Sequence, residues 1–337
     1  WQIEGRLAQE QLELDNFFQR TLYPRAPKYY IVKWLTDWVR EYGIDGFRVD
    51  TAKHVEAEIW AVLKKESELA LQTWKQNNPS KVSDDLPFYM VGEVFNWGLN
   101  GFKNTAKDGL SYDYGDKQVN FFDYGFDALI NMGFVADAAQ PAEQIFSSYS
   151  RALTQELKGK GILNYIGSHD DQASYDRERS QPFETAFKLM LAPGAVQIYY
   201  GDELARPMYA ENAYGDANMR TFMNWQDLKN ADTQSILAHW QKLGKFRQNY
   251  DAVGSGKHTQ LSQSPYIFKR ELAENDPVIV AKDLPKGRKT ISTYQLFKNG
   301  EQVFEHYSHQ LIVIKDDQIT FNSDFPYALI GQPNKEP

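Results

Sequence analysis

Gly43-Ile-Asp-Gly-Phe-Arg-Val-Asp-Thr-Ala-Lys-His54 is the stretch on which the reading of this chain turns. Ile44 to Asp50 is a short apolar run of the kind that forms a buried strand. Strand period two places Arg48 and Asp50 on one face and Phe47 and Val49 on the other. Thr51 to Trp60 then turns helical, and the spacing predicts a helix from about Ala52 to about Trp74 with Val55, Ile59, Val62 and Leu63 inward. The Arg/Asp pair thus stands at the carboxyl end of a strand where a loop leads into a helix, the place where α/β barrels keep their reacting groups. An isolated Arg-x-Asp is more often a buried structural ion pair, so the surrounding chain has to separate the two readings.

Upstream, residues 1–27 read as irregular, and Tyr23-Pro-Arg-Ala-Pro27 reads as an extended connector, because proline disfavours helix in itself and in the residue before it. From Tyr30 the apolar positions Ile31, Trp34, Leu35, Trp38, Val39 and Tyr42 follow one helical face, which stops at Gly43, a suitable C-cap. Downstream, Leu86 to Val94, Phe121 to Asn131 (a strand entering a helix), Ile162 to Gly167 and Ala195 to Tyr200 supply four more strand signals. Strands that alternate with helices and are apolar on both faces indicate a parallel sheet or barrel. After about Gln241 the rhythm changes to short β-prone runs at Tyr266–Phe268, Val278–Val280, Ile291–Phe297 and Leu311–Ile314, separated by turn residues. The expected organisation is a connector over 1–27, a catalytic barrel portion over 28–245 and a small antiparallel β domain over 246–337.

Bulk properties narrow the function classes. A net charge of −8 with no clustered Lys/Arg block argues against nucleic-acid binding, which needs phosphate neutralisation. No run of ~18 apolar residues occurs, so no membrane span is expected. The absence of cysteine removes disulfides, thiol catalysis and zinc–thiolate sites. The 20 Tyr, 20 Phe and 8 Trp suit sugar stacking, although most of these rings belong in a core.

Four strings in order resemble the α-amylase family, glycoside hydrolase family 13: Gly46-Phe-Arg-Val-Asp50 with Lys53-His54; Val91-Gly-Glu-Val-Phe95; Asn164-Tyr-Ile-Gly-Ser-His-Asp170; and Ala192-Pro-Gly-Ala-Val-Gln-Ile-Tyr-Tyr-Gly-Asp-Glu203. Within the family, Gly125 to Asn131 and Ser168-His-Asp170 are most similar to the bacterial secreted or periplasmic maltodextrin-acting type. The resemblance implies a (β/α)8 TIM barrel, of which about the last five strand–helix units are present where a closed barrel needs eight. The three units that precede the Arg/Asp strand in the family, and its Asp-x-x-x-Asn-His string, have no counterpart here. None of His239, His258, His306 and His309 is preceded by Asn, which argues against a circular permutation. The missing amino-terminal barrel half is accordingly an expected partner, covalent or as a separate chain.

The resemblance also assigns roles. Asp50 is the expected nucleophile and Glu93 the acid that later serves as base, a pairing that implies retention with carboxyls about 5–5.5 Å apart. Arg48 is expected to keep Asp50 ionised and oriented. Asp170 and His169 are expected to hold sugar hydroxyls at the cleavage subsite, and Lys53 and His54 to grip the leaving-group side of the glucan. Ser168-His169-Asp170 does not make a hydrolase triad, since adjacent side chains point apart and no Gly-x-Ser-x-Gly elbow is present. Asp202 and Glu203 read as structural, because the three family acids are already placed. Family members commonly bind calcium, here with the His54 backbone carbonyl as a ligand and the other ligands outside this chain. Chloride is not expected, because Ser168 stands where the chloride-binding members have Asn.

The activity so implied is hydrolysis of α-1,4-glucosidic bonds in starch-derived maltodextrins, in the periplasm or outside the cell. A transglycosylase or an α-1,6-acting relative would use the same carboxylates. A catalytically silent glucan-binding scaffold is the alternative of another class, and the retained acids argue against it.

Overall fold

The computed structural model describes residues 4–170, 173–272 and 277–333, which fall into two compact units. The first comprises Trp1–Phe95 and Asn104–Ile130. It opens with α1 (Arg6–Thr21), α2 (Pro27–Tyr42), β1 (Gly46–Val49) and α3 (Ala57–Asn77). There follow β2 (Tyr89–Gly92), the short hairpin β3 (Tyr112–Asp113) and β4 (Gln118–Val119), and β5 (Ala128–Asn131), whose last residue belongs to the second unit. β1 and β2 pair in parallel from Gly46↔Tyr89 to Val49↔Gly92, and β2 pairs in parallel with β5 at Val91↔Ala128 and Gly92↔Leu129.

Two glycines permit this arrangement. Gly43 ends α2 at φ 70°, where a side chain is strained. A Cβ on Gly46 would lie 2.4 Å from the Tyr89 carbonyl oxygen, so only glycine lets β1 approach β2 this closely. Asp127 then fixes the amino ends of two strands together. Its Oδ2 accepts from the Met90 amide at 2.8 Å and from Lys64 Nζ, on α3, at 2.6 Å.

Several local expectations are corrected. Residues 6–21 form α1 instead of an irregular lead-in; the segment lacks an apolar stripe, burying only Phe17 and Phe18, but it is free of Pro and Gly and rich in Leu, Gln, Glu and Arg, whose intrinsic preference prevails. The helix after β1 begins at Ala57 because Thr51 sits in the left-handed region (φ 48°) and Val55 is extended, leaving a single tight turn over Ala52–His54. On α2 the buried residues are Val32, Lys33, Thr36 and Val39, while Ile31, Trp34, Trp38 and Tyr42 are 46–57% exposed. Of the apolar face read from the sequence, Val39 is buried and Leu35 half-buried, while its other four residues lie outward within this unit. Lys33 tolerates burial because Glu13 and Asp37 lie 3.0 and 2.7 Å from its ammonium.

The second unit comprises Asn96–Lys103 and Asn131–Pro337. It contains α4 (Phe134–Asp137), α5 (Ala142–Gln155), β6 (Gly161–Asn164), α6 (Pro182–Met190), β7 (Ala195–Val196), α7 (Ala231–Asn249) and α8 (Ala252–Ser255). β6 and β7 pair in parallel. The antiparallel part follows as β8 (Lys257–Gln263), β9 (Tyr266–Glu271), β10 (Val278–Lys282), β11 (Gly287–Ser292), β12 (Gln302–Glu305), β13 (Gln310–Val313), β14 (Gln318–Ser323) and β15 (Tyr327–Gly331). Six of these strands form one sheet in the order β13-β12-β15-β10-β9-β8, and β11 pairs with β14. Ile279, Ala281, Ile291, Val303, Ile319 and Phe321 belong to one shared core, with side chains from both sheets.

A buried polar network organises the parallel part of this unit. Asn131 accepts from the Leu99 amide at 2.9 Å and donates to Tyr149 Oη at 3.0 Å and to Asn164 Oδ1 at 2.8 Å; Asn164 in turn donates to the Pro193 carbonyl at 2.9 Å. Every polar group of Asn131 is thus matched, which is what allows a fully buried amide at a strand end.

Candidate active site

The carboxyl ends of β1 and β2 are stitched together by backbone: Glu93 N donates to Val49 O at 2.8 Å and Ala52 N to Glu93 O at 2.9 Å. This cross-bonding puts the side chains of Asp50 and Glu93 side by side at the end of the parallel pair. Arg48 Nη1 bonds Asp50 Oδ1 at 2.6 Å, and Nη2 lies 3.3 Å from Glu93 Oε2, so one guanidinium spans both acids. The Thr51 amide donates to Glu93 Oε2 at 3.1 Å, a bond that the left-handed turn at Thr51 makes available.

The two acids differ in surroundings. The Asp50 side chain is 67% exposed, whereas that of Glu93 is 12% exposed. Burial raises the Glu93 pKa, and the hydrogen bond and charge of neighbouring Asp50 push it further up against the opposing Thr51 amide and Arg48. Of the two neighbouring carboxyls, Glu93 is thus the one pushed toward its protonated form.

Lys53 and His54 occupy the turn after Asp50. The Lys53 ammonium donates to Tyr112 Oη at 2.8 Å and lies 4.8 Å from the Tyr112 ring centroid and 5.2 Å from that of Phe95. Tyr114 Oη donates to the Lys53 carbonyl at 2.7 Å. The β3–β4 hairpin therefore clamps Lys53 from side chain and backbone. His54 is exposed and lines, with Lys53, Glu56, Tyr114 and Gln118, a cleft of about 480 Å3. Tyr112, Tyr114 and Phe95 were not singled out from sequence; an aromatic hairpin some sixty residues away carries no local signal that it closes on Lys53.

Asp170 and His169 lie in the second unit, after β6. Contrary to the expectation that adjacent side chains point apart, those of His169 and Asp170 meet at 3.0 Å; Asp170 is further held by Arg220 Nη2 at 2.8 Å, and Arg220 Nε donates to the His169 carbonyl at 3.1 Å, which draws the two residues together. Ser168 Oγ accepts from the Asp170 amide at 3.2 Å, so the residue standing in the Asn position shapes the turn. Arg220 was missed from sequence, since fifty residues separate it from the acid that it binds. Asp202 and Glu203 have structural partners: Asp202 pairs with Arg179 at 2.7 Å, both side chains buried, and Glu203 accepts from the Gly201 amide at 3.0 Å.

Residues 22–256 match the family described as alpha amylase, catalytic domain. The chain belongs to the alpha-amylase family. It is 40% identical over 259 residues to the periplasmic alpha-amylase of Escherichia coli K12, an alignment covering 76% of this chain and 35% of that protein. It is 25% identical over 260 residues to a cyclomaltodextrinase of a Bacillus species, covering 72% of this chain and 39% of that protein. The chain therefore spans little more than a third of these curated relatives. Among solved structures, the alpha-amylase of Geobacillus thermoleovorans in complex with acarbose superposes with a TM-score of 0.60 at 16% identity, covering 91% of this chain and 64% of that one. The parallel β/α segments are thus part of the family's TIM barrel, joined in sequence to an antiparallel β domain.

Calcium fits poorly with the groups present. A hard cation of this size takes six to eight oxygen ligands. Among the described residues no three His, Cys, Asp or Glu side chains converge on a point that could hold a metal, and the His54 carbonyl has no such set around it.

Proposed function

We propose that the enzyme carrying this chain is a retaining glycoside hydrolase that cleaves α-1,4-glucosidic bonds in starch-derived maltodextrins. The observation that carries this reading is the pair Asp50 and Glu93, bridged by Arg48, with opposite exposure at the end of two parallel strands. Asp50, oriented by Arg48, attacks the anomeric carbon; Glu93, whose pKa burial raises, delivers its proton to the departing glycosidic oxygen. The resulting carboxylate of Glu93 then deprotonates the water that releases the sugar from Asp50. Asp170 and His169 hold hydroxyls of the reacting sugar, and Lys53 and His54 contact the leaving glucan. The names of the E. coli and Bacillus relatives, and the acarbose bound to the Geobacillus enzyme, favour a glucan substrate. The E. coli relative also favours a periplasmic or extracellular location; among the described residues no helix is long and apolar enough to cross a membrane.

In this reading residues 28–245 supply five of eight barrel units, residues 246–337 the antiparallel domain, and the remaining three units come from further chain or a second polypeptide. The outward stripe Ile31, Trp34, Trp38 and Tyr42 on α2 supports this, because a neighbouring barrel unit buries such a stripe.

Digestion of maltoheptaose, with chromatography of the products and proton NMR of the anomeric signals, tests the reading. Shorter maltodextrins released first as the α-anomer are expected. Oligosaccharides longer than the substrate would assign a transglycosylase instead, and unchanged maltoheptaose under conditions where the complete enzyme is folded would remove the assignment.

Lys53 offers a finer test. Tyr112→Phe deletes the hydroxyl that orients its ammonium, worth about 1 kcal/mol or roughly a fivefold rise in KM, with kcat nearly unchanged. Steady-state kinetics on maltoheptaose measure this, and a fall in kcat at constant KM would place Lys53 in the chemical step.

A further inference from the structure

The turn that leads out of Asp50 is strained, and a residue outside the reacting groups holds it. Thr51, a β-branched residue, sits at φ 48° and ψ 36°, a left-handed conformation that such residues rarely adopt. A turn of this kind persists where its surroundings over-determine it. Tyr114 Oη fixes the Lys53 carbonyl, and Trp60 Nε1 donates to the Ala52 carbonyl at 3.1 Å. That carbonyl also accepts from the Val55 amide, at the longer distance of 3.4 Å, so the indole supplies the closer of the two donors.

Trp60 is itself placed by packing. It stands in the first turn of α3, where its ring meets the Phe126 ring edge-on with centroids 5.9 Å apart. Phe126 is wholly buried and lies against the end of β2: a Cβ on Gly92 would come within 2.7 Å of its ring, so the residue before Glu93 has to be glycine. An indole packed on Phe126 and bonded to Ala52 thus ties the turn to the strand end that carries Glu93. Ala52 gives its amide to the Glu93 carbonyl at 2.9 Å, and Thr51 gives its own to Glu93 Oε2 at 3.1 Å.

We propose that Trp60 is a positioning residue for Glu93: its indole N–H latches the Ala52 carbonyl and thereby keeps the Thr51 amide aimed at the Glu93 carboxyl. The use of Glu93 as a proton donor rests on the function proposed above, whereas the latch stands on the contacts alone. Two donors, the Thr51 amide and Arg48 Nη2, address Oε2, which makes Oε1 the oxygen that carries the proton. A backbone N–H donates and cannot accept, so the Thr51 bond also favours the ionised carboxyl and opposes the burial that raises its pKa. Without the indole bond, Thr51 relaxes toward an ordinary backbone conformation and draws its amide off Oε2. Glu93 then keeps its proton to higher pH and loses the preference for Oε1, and proton transfer slows.

Trp60→Phe in the complete enzyme tests the latch, since it keeps an aromatic ring against Phe126 and removes the N–H. The expected result is a fall of roughly fivefold in kcat on maltoheptaose at nearly constant KM, with the basic limb of the kcat profile moved to higher pH. Carbon-13 NMR of the labelled Glu93 carboxyl reads the same change without turnover, as a titration displaced upward. Adding Thr51→Asn is expected to bring both readouts back toward the parent, because asparagine tolerates the left-handed backbone without the latch. An indole that merely supports the fold would lower the melting temperature and leave the titration where it was. An unmoved basic limb, an unmoved or lowered carboxyl titration, or a double variant identical to the single one overturns the latch. Where Trp60→Phe does not fold, hydrogen exchange in the parent decides: slow exchange of the Trp60 indole proton and the Thr51 amide is expected, and an indole proton exchanging as a free one does overturns the proposal. An upward Glu93 titration in an enzyme that cleaves no maltoheptaose leaves the latch standing and counts only against the hydrolytic reading.

Discussion

Glu93→Gln in the enzyme carrying this chain is expected to lower kcat on maltoheptaose by about 10²–10⁴-fold, the usual worth of general acid–base catalysis, with little change in KM. The amide preserves shape and can still accept from the Thr51 amide, but it has no proton to give to the glycosidic oxygen. The pH profile carries the same assignment. Burial and Asp50 raise the Glu93 pKa, so the protonated acid persists to higher pH than an exposed glutamic acid allows, and activity falls as pH rises through that raised value. The stability contribution has the matching sign: protonation favours the fold at low pH, and this is lost as pH rises through the folded-state pKa. Asp50→Asn removes a neighbouring negative charge, so it is expected to abolish turnover and to move the Glu93 titration downward. Carbon-13 NMR of the labelled carboxyl measures the shift, and an upward or null displacement would mean that burial alone sets this acid. Retained activity in both variants would sink the proposed mechanism.

Arg179→Met is expected to cost about 3–5 kcal/mol of stability, the largest loss among single substitutions considered, because it strands a buried carboxylate. The Asp202 side chain is wholly buried, held by Arg179 at 2.7 Å and by the Tyr199 amide at 3.2 Å. Burial already raises the pKa of Asp202 against the pull of Arg179, and without the guanidinium the carboxylate has to pick up a proton or recruit water. Arg179 Nε also donates to the Arg206 carbonyl at 2.8 Å, so the 202–206 turn loosens with it. Urea denaturation followed by tryptophan fluorescence reads the loss. The double substitution Arg179→Met with Asp202→Leu is expected to recover most of it, because the uncompensated charge is gone. A loss below about 1 kcal/mol in the single variant would mean that Asp202 is neutral in the native protein.

These two expectations differ in how far sequence alone leads to them. Asp50 and Glu93 were legible because strand period two, a strand-to-helix switch and four strings in order act over a few residues each. Four of the five strand segments were legible for the same reason, although their ends were not: the apolar run Leu86–Val94 pairs only over Tyr89–Gly92. Within Phe121–Asn131 the expected strand-then-helix order is reversed, a tight turn over Phe121–Tyr124 preceding the strand Ala128–Asn131. Helix α1 was passed over because its evidence is intrinsic preference without an apolar stripe, and the apolar face read on α2 is fully covered within this unit only at Val39. Periodicity reports which residues are apolar, while the neighbours present decide which of them are covered.

The sequence by itself determined the family, the order of its acids, the alternation of strands and helices and the change to antiparallel strands near the carboxyl end, because all of these are written in local spacing. Tertiary structure decided the rest. It placed one guanidinium across two carboxyls of unequal burial, closed Tyr112 and Tyr114 on Lys53, and brought Arg220 to Asp170 across fifty residues. Proton affinity and hydrogen-bond partnership depend on burial and on distance in space, and neither is a property of a residue's neighbours in the chain.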